Sequence, residues 1–243
     1  MRWFLINILI FALLLFFLCG IYYGVPWFYG KYLRKQLSKK VKKAKVLALT
    51  FDDGPSEKLT LDILDMLHRY NAVASFFLLG RNVVAHQDIA RRIADCGHEI
   101  CSHGYDHLHY WKVFPFRVII DIKSGWQAID KALGRQDGKY IFRPPNGKLT
   151  LFGLLYLLFL RVPIVYWTID STDTWLITEQ DSSRLRKMLK KEGGIVALSH
   201  DFERSDNHIN TNVINSLKLV LETAKEMGVR TITISQMLAM KGI

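Results

Sequence analysis

The chain has 243 residues, half of them hydrophobic and 23% charged, with a formal net charge of +11. That much apolar surface excludes a disordered or collagen-like chain, and three cysteines (Cys19, Cys96, Cys101) exclude a disulfide scaffold. A charge of +11 points first to nucleic acid or to an anionic surface, and its position along the chain separates the two.

Residues 3–30 carry no charge, and 3–23 form an apolar run of 21 residues. About 20 apolar residues span a bilayer as a helix. Secretory apolar regions are shorter and end at a small-residue cleavage site, which is missing here, and the bulky Phe17 and Leu18 just before Cys19 also speak against a lipoprotein signal. Trp27, Phe28 and Tyr29 suit an interfacial belt, with Trp3 at the other end. Residues 1–30 therefore read as a retained single-pass anchor in the cell membrane. Residues 31–45 read as a juxtamembrane linker with eight bases and no acid. With Arg2, the first 45 residues hold nine bases, which leaves 24 bases against 22 acids in 46–243. The remainder is near neutral, so no nucleic-acid groove is expected and the lipid bilayer is the expected partner of the basic run. Bases after the span place the following domain on the cytoplasmic face, with the extracytoplasmic side as the alternative.

Residues 46–243 read as one catalytic domain. Short apolar runs at 46–51, 74–79, 99–102, 140–143, 163–169, 195–199 and 229–234 suit buried strands. Helical periodicity fills 59–70, 88–95, 117–133, 149–160, 181–191 and 211–227, with Gly97, Gly134, Gly193, Gly194 and Gly228 at helix ends. The alternation predicts an α/β fold with about seven parallel strands, open or closed into a barrel. Residues 149–160 are apolar on nearly every face, which suits a deeply packed helix or one that touches a membrane or lipid tail.

Reactive side chains gather where the strands end. Thr50-Phe51-Asp52-Asp53-Gly54-Pro55, Ser102-His103-Gly104-Tyr105-Asp106-His107, Arg143-Pro144-Pro145-Asn146-Gly147, Asp170 with Asp173, and Ser199-His200-Asp201 all follow predicted strands. In parallel α/β folds these ends share one face, where active sites lie. His103 and His107 with one carboxylate make a set typical of a catalytic divalent site. Of Asp52 and Asp53, one can bind the metal while its neighbour takes a proton from water. His200 can return a proton to a leaving group, and Arg143 can fix a carboxylate at bidentate range.

Together these segments resemble the signature motifs of the NodB-homology polysaccharide deacetylases, carbohydrate esterase family four, over about 46–240. The resemblance implies a distorted (β/α) barrel and a divalent metal, zinc first with cobalt or nickel as alternatives, on Asp53, His103 and His107. It implies Asp52 as general base, His200 as general acid, Arg143 paired with Asp52, and Asp170 or Asp173 supporting His200. It places Tyr105, Trp175 and Leu198 at the substrate pocket, with a backbone N–H near Asn146 for the oxyanion. The expected substrate is an N-acetylated or N-formylated amino sugar, on a polysaccharide or a lipid-linked glycan. Three positions depart from the family pattern: Thr174 intervenes between Asp173 and Trp175, Gly104 stands where Ser or Thr is common, and Asn146 replaces an aromatic. Two other readings are a non-catalytic glycan- or lipid-binding membrane protein and a hydrolase of a small amide. The complete Asp52, Asp53, His103, His107 and His200 set weighs against the first.

Overall fold

The computed structural model describes residues 2–136, 138–173, 183–203, 205 and 207–240. Its centre is a parallel sheet of β1 (Val46–Asp52), β2 (Ala74–Leu78), β3 (Glu99–Ser102), β4 (Ile169–Asp170), β5 (Ile195–His200) and β6 (Arg230–Thr231). The order is β3-β2-β1-β5-β4, with β6 beside the first residues of β1. All of β1 and β2 is buried, because helices cover both faces and the strands are apolar throughout.

Among the described residues the sheet has six strands rather than about seven, and no continuous barrel ladder closes it. The expected strands at 140–143 and 163–169 shrink to single parallel bridges, Ser102 to Phe142 and Phe142 to Ile164, before the regular pair Ile169–Asp170. Pro144, Pro145 and Pro163 lack the N–H donors that a longer ladder needs. Hydrogen bonds still run from Phe142 N–H to the Pro163 carbonyl and from Ser171 N–H to the Leu198 carbonyl. Residues 163–171 thus bond toward both sides of the sheet.

The helices are α1 (Arg2–Ala44), α2 (Leu59–Arg69), α3 (Gly80–Ala85), α4 (Gln87–Asp95), α5 (Pro115–Leu133), α6 (Leu151–Phe159), α7 (Arg184–Glu192), α8 (Asn207–Glu226) and α9 (Ile234–Ala239). The stretch expected as a linker is the last third of α1. Leu33, Leu37 and Val41 recur every fourth residue among the lysines, and Leu37 and Val41 enter the core. On α6, Gly153, Leu154 and Leu157 are buried while Phe152, Leu155, Leu158 and Phe159 are exposed. The helix therefore packs one apolar face and leaves another open.

Candidate active site

Strand register sets the first shell. Asp52 lies opposite His200 and Thr50 opposite Leu198 on neighbouring β1 and β5. Side chains two apart share a face, so all four point to the same side of the sheet. Asp53 follows with a left-handed φ of 75°, which turns its carboxylate away from that of Asp52. The turn is held at three points. Asn82 Nδ2 donates to the Asp53 carbonyl at 2.6 Å, Leu79 N–H donates to the Gly54 carbonyl at 3.0 Å, and Gly54 N–H donates to Asp201 Oδ1 at 2.9 Å. A side chain at position 54 would collide with that Asp201 carboxylate.

Asp53 Oδ1 is buried and has no hydrogen-bond partner among the described residues. Two imidazoles face it, with His107 Nε2 at 3.5 Å and His103 Nε2 at 3.7 Å. The ligand atoms of the three residues lie within 4.8 Å of one another. The other nitrogen of His103, Nδ1, is 2.8 Å from the Arg143 carbonyl. A carbonyl only accepts, so Nδ1 carries the proton and Nε2 presents its lone pair. Burial pushes the His103 imidazole down to about 3, which keeps it in the neutral, ligating form. An unpartnered carboxylate oxygen with two imidazole nitrogens fits zinc or a similar divalent ion.

Asp52 is bonded differently. Its Oδ1 accepts from Arg143 Nη1 at 2.6 Å, while Oδ2 stands 3.7 Å from His103 Nε2. Arg143 is fully buried and also donates to Thr50 Oγ1 at 2.8 Å and to the Tyr166 carbonyl at 3.3 Å. Its guanidinium lies 3.9 Å from the centre of the Phe77 ring. Burial raises the Asp52 carboxyl above its ordinary range and the Arg143 charge opposes that rise. The result is an ionisable group that grips a proton better than a surface carboxylate.

Across from it, His200 Nδ1 pairs with Asp173 Oδ1 at 2.7 Å, and Asp173 Oδ2 accepts from the His200 N–H at 2.8 Å. Burial works against the charged ring, but the Asp173 carboxylate and its hydrogen bond outweigh it and lift His200 to about 9. Asp173 therefore holds the histidine, and Asp170 does not. Asp170 Oδ1 accepts from Thr172 N–H at 2.8 Å and shapes the turn between them.

The remaining expected positions scatter. Leu198 is buried beside Thr50 and Asp170 on the face that His200 shares. Asn146 sits exposed on the turn Pro145–Gly147 with φ 56°, a conformation that asparagine tolerates better than an aromatic. Tyr105 packs its ring on Gly80 and lines a cavity with Arg117, Ile120 and Ser124, on the α5 side of the ligand loop. Trp175 lies outside the described residues.

Sequence reading missed two buried carboxylates. Asp121 of α5 accepts from Asp106 N–H at 2.9 Å and from Tyr110 Oη at 2.8 Å, so it shapes the loop between His103 and His107. A side chain at Gly104 would meet this carboxylate, which explains glycine at a position with φ 86°. The available signal was an acid on the apolar stripe Val118, Ile122, Gly125 and Ile129. Asp201 accepts from Gly54 and from Thr60 Oγ1 at 2.9 Å, and burial raises it to about 7. Its adjacency to His200 was visible, but its partners in the chain were not.

Comparison with known proteins gives the site a context. A family model described as polysaccharide deacetylase matches residues 39–151. A peptidoglycan-N-acetylglucosamine deacetylase of Bacillus cereus is 33% identical over 191 residues, which cover 79% of this chain and 67% of that protein. The bifunctional xylanase/deacetylase of Pseudobutyrivibrio xylanivorans is 32% identical over 202 residues, 82% of this chain but 31% of its own length. The peptidoglycan-N-acetylglucosamine deacetylase of Listeria monocytogenes is 30% identical over 82% of this chain and 40% of its own length. The chain thus spans less than half of these last two relatives. Among solved structures, the Bc1960 peptidoglycan N-acetylglucosamine deacetylase superimposes with a TM-score of 0.71 at 27% identity, covering 79% of this chain and 87% of that one.

Proposed function

The chain belongs to the polysaccharide deacetylase family, and from that premise we propose that it is a membrane-anchored, metal-dependent hydrolase that removes N-acetyl or N-formyl groups from amino sugars of a polysaccharide or a lipid-linked glycan. The observation that carries the reading is the buried, unpartnered Asp53 Oδ1 faced by the two Nε2 atoms of His103 and His107. Asp53, His103 and His107 would hold the metal. A divalent ion such as zinc supplies Lewis-acid polarisation of an amide carbonyl and makes water more acidic.

The chain's own residues divide the proton work. Asp52, fixed through Oδ1 by Arg143, has Oδ2 free to take a proton from the attacking water. His200 is charged at neutral pH through Asp173 and delivers a proton to the departing amine nitrogen. Products are a free amino sugar and acetate or formate. The Asn146 N–H is the candidate donor for the developing oxyanion, since the Gly147 and Lys148 N–H groups already donate to the Pro144 and Pro145 carbonyls, and Leu198 is the candidate for the pocket wall. The bonding of residues 163–171 toward both sides of the sheet supports a distorted barrel. The uncharged residues 3–30 of α1 support a single-pass anchor, and the eight following bases support a cytoplasmic catalytic face.

The test is release of acetate or formate from N-acylated amino-sugar substrates by the full chain with added zinc or cobalt. Asp52→Asn and His103→Ala are each expected to abolish it. If both variants match wild type, the proposed division of roles is wrong.

A further inference from the structure

Helix α1 reports which end of the domain meets the membrane. Its last turn lies at the amino ends of the strands, where the Val41 carbonyl closes on Gly194, the residue before β5. Further back, Arg34 lies over Tyr166 and Trp167, 4.3 and 5.0 Å from the ring centres, and abuts Gly147 beside Asn146. Residue 34 is therefore already level with the catalytic loops. With a rise of about 1.5 Å per residue, Tyr22 and Tyr23 stand about 17 Å beyond that level. There Tyr23 meets Trp111 at 5.3 Å between ring centres, and Tyr22 meets Phe152 at 6.0 Å. The apolar span leaves the domain at the catalytic end.

A second apolar surface reaches the same height. Gly125 of α5 sits against the backbone of Gly104, next to the ligand His103. The first turns of α5 consequently rise about 10 Å above that loop. Gly153 of α6 packs on Val118, so the start of α6 shares this level. The side chains displayed there are Phe114 (73% exposed), Phe116 (60%), Ile120 (48%), Phe152 (53%) and Leu155 (54%). Lys31 and Lys148 lie over Trp27 and Trp111, 3.6 and 5.1 Å from the ring centres, which suits cations at the headgroup level.

We propose that the catalytic face is held against the bilayer, with the first turns of α5 and α6 dipping Phe116, Phe152 and their neighbours into the leaflet that α1 crosses. The surface is continuous with α1 through the Tyr22–Phe152 and Tyr23–Trp111 contacts, and this continuity identifies lipid as its occupant. A site so oriented takes an acylated amino sugar presented at the membrane surface. The inference rests on the reading of α1 as a membrane anchor.

The experiment uses nitroxide labels on the full chain in phosphatidylethanolamine–phosphatidylglycerol vesicles. Cys19 reports on α1 itself, Cys96 is replaced by serine, and Cys101 is buried and does not label. Phe116→Cys and Phe152→Cys, each with Cys19 also replaced, report on the proposed surface, and Lys225→Cys, made in that same background, is the aqueous reference. Relative accessibility to oxygen over a water-soluble nickel chelate is expected to be roughly tenfold higher at 116 and 152 than at 225. Lipid-like values at Cys19 with water-like values at both 116 and 152 would overturn the inference and leave the anchor standing. Water-like values at Cys19 as well would overturn both. The two positions are independent, so a misfolded variant at one leaves the other decisive.

Discussion

At the carboxyl ends of β1, β3 and β5, five charged or titratable side chains (Asp52, His103, Arg143, Asp173 and Asp201) are each no more than 3% exposed. Four residues there, Asp53, His107, Asn146 and Thr172, hold left-handed backbone, and the buried Asp53 Oδ1 has no partner among the described residues. At the opposite end, Val41, Val46, Ile195, Ile232 and Met237 pack together, and the charges, such as the Lys42–Glu192 pair, stay at the surface. Left-handed residues at or near that end, such as Lys45, Asn71 and Arg161, follow helices, where this conformation ends a helix. Uncompensated charge and strained backbone cost stability, while apolar packing supplies it. The catalytic end is therefore expected to be where substitutions change chemistry more than stability, and the other end the reverse.

His107→Gly tests the first half of this contrast and has the largest expected effect. The substitution removes one of the two imidazoles that face Asp53 and relieves a φ of 56°. Activity is expected to fall by about a thousandfold, within the range for loss of a group that acts directly on the reaction. Thermal unfolding of the metal-free protein is expected at or above the wild-type temperature, since glycine adopts this conformation without strain. A clear drop in that temperature would mean that His107 holds the fold together, and the contrast would fail at its centre.

Val41→Ala addresses the other half. Val41 is fully buried and belongs to a segment that composition alone assigns to a basic linker. Loss of its methyl groups is expected to cost about 2 kcal/mol of stability, read by denaturant titration. Turnover per folded molecule is expected to remain at the wild-type value. A kcat change without a stability change would show that α1 acts on the site and not on the core.

The same contrast explains what could be read from the chain in advance. Strands and most helices were legible because their apolar periodicity is local. The side chains proposed as ligands and proton-transfer groups stood out in the chain because each follows a predicted strand, as in Asp52-Asp53 and His103. The Leu33, Leu37 and Val41 stripe was hidden because eight bases dominate that stretch, although every fourth residue is apolar. The roles of Asp121 and Asp201 were hidden because each is defined by contacts distant in sequence, such as Asp201 with Gly54 and Thr60. The fourth and fifth strands expected at 140–143 and 163–169 were over-read because apolar content does not reveal that prolines remove the ladder donors.

The smallest expected effect lies within the catalytic end and separates its two proton-handling sides. His200 is lifted to about 9 because Asp173 outweighs the burial that favours the neutral ring. An acid raised in this way is active below its folded value and is lost as pH rises through it. The wild-type kcat/KM profile should therefore fall on an alkaline limb near that value. Asp173→Asn keeps one acceptor oxygen, for Nδ1, but removes the charge and the acceptor of the His200 N–H, which leaves the more distant Asp53 and Asp52 to oppose burial. The alkaline limb is expected to move toward neutral pH by about one unit, equivalent to ~1.4 kcal/mol. Asp170→Asn, at the carboxylate that holds the Thr172 turn, is expected to leave the limb in place. If Asp170→Asn moves the limb and Asp173→Asn does not, His200 takes its support from the other carboxylate and the geometry of the acid side is misassigned.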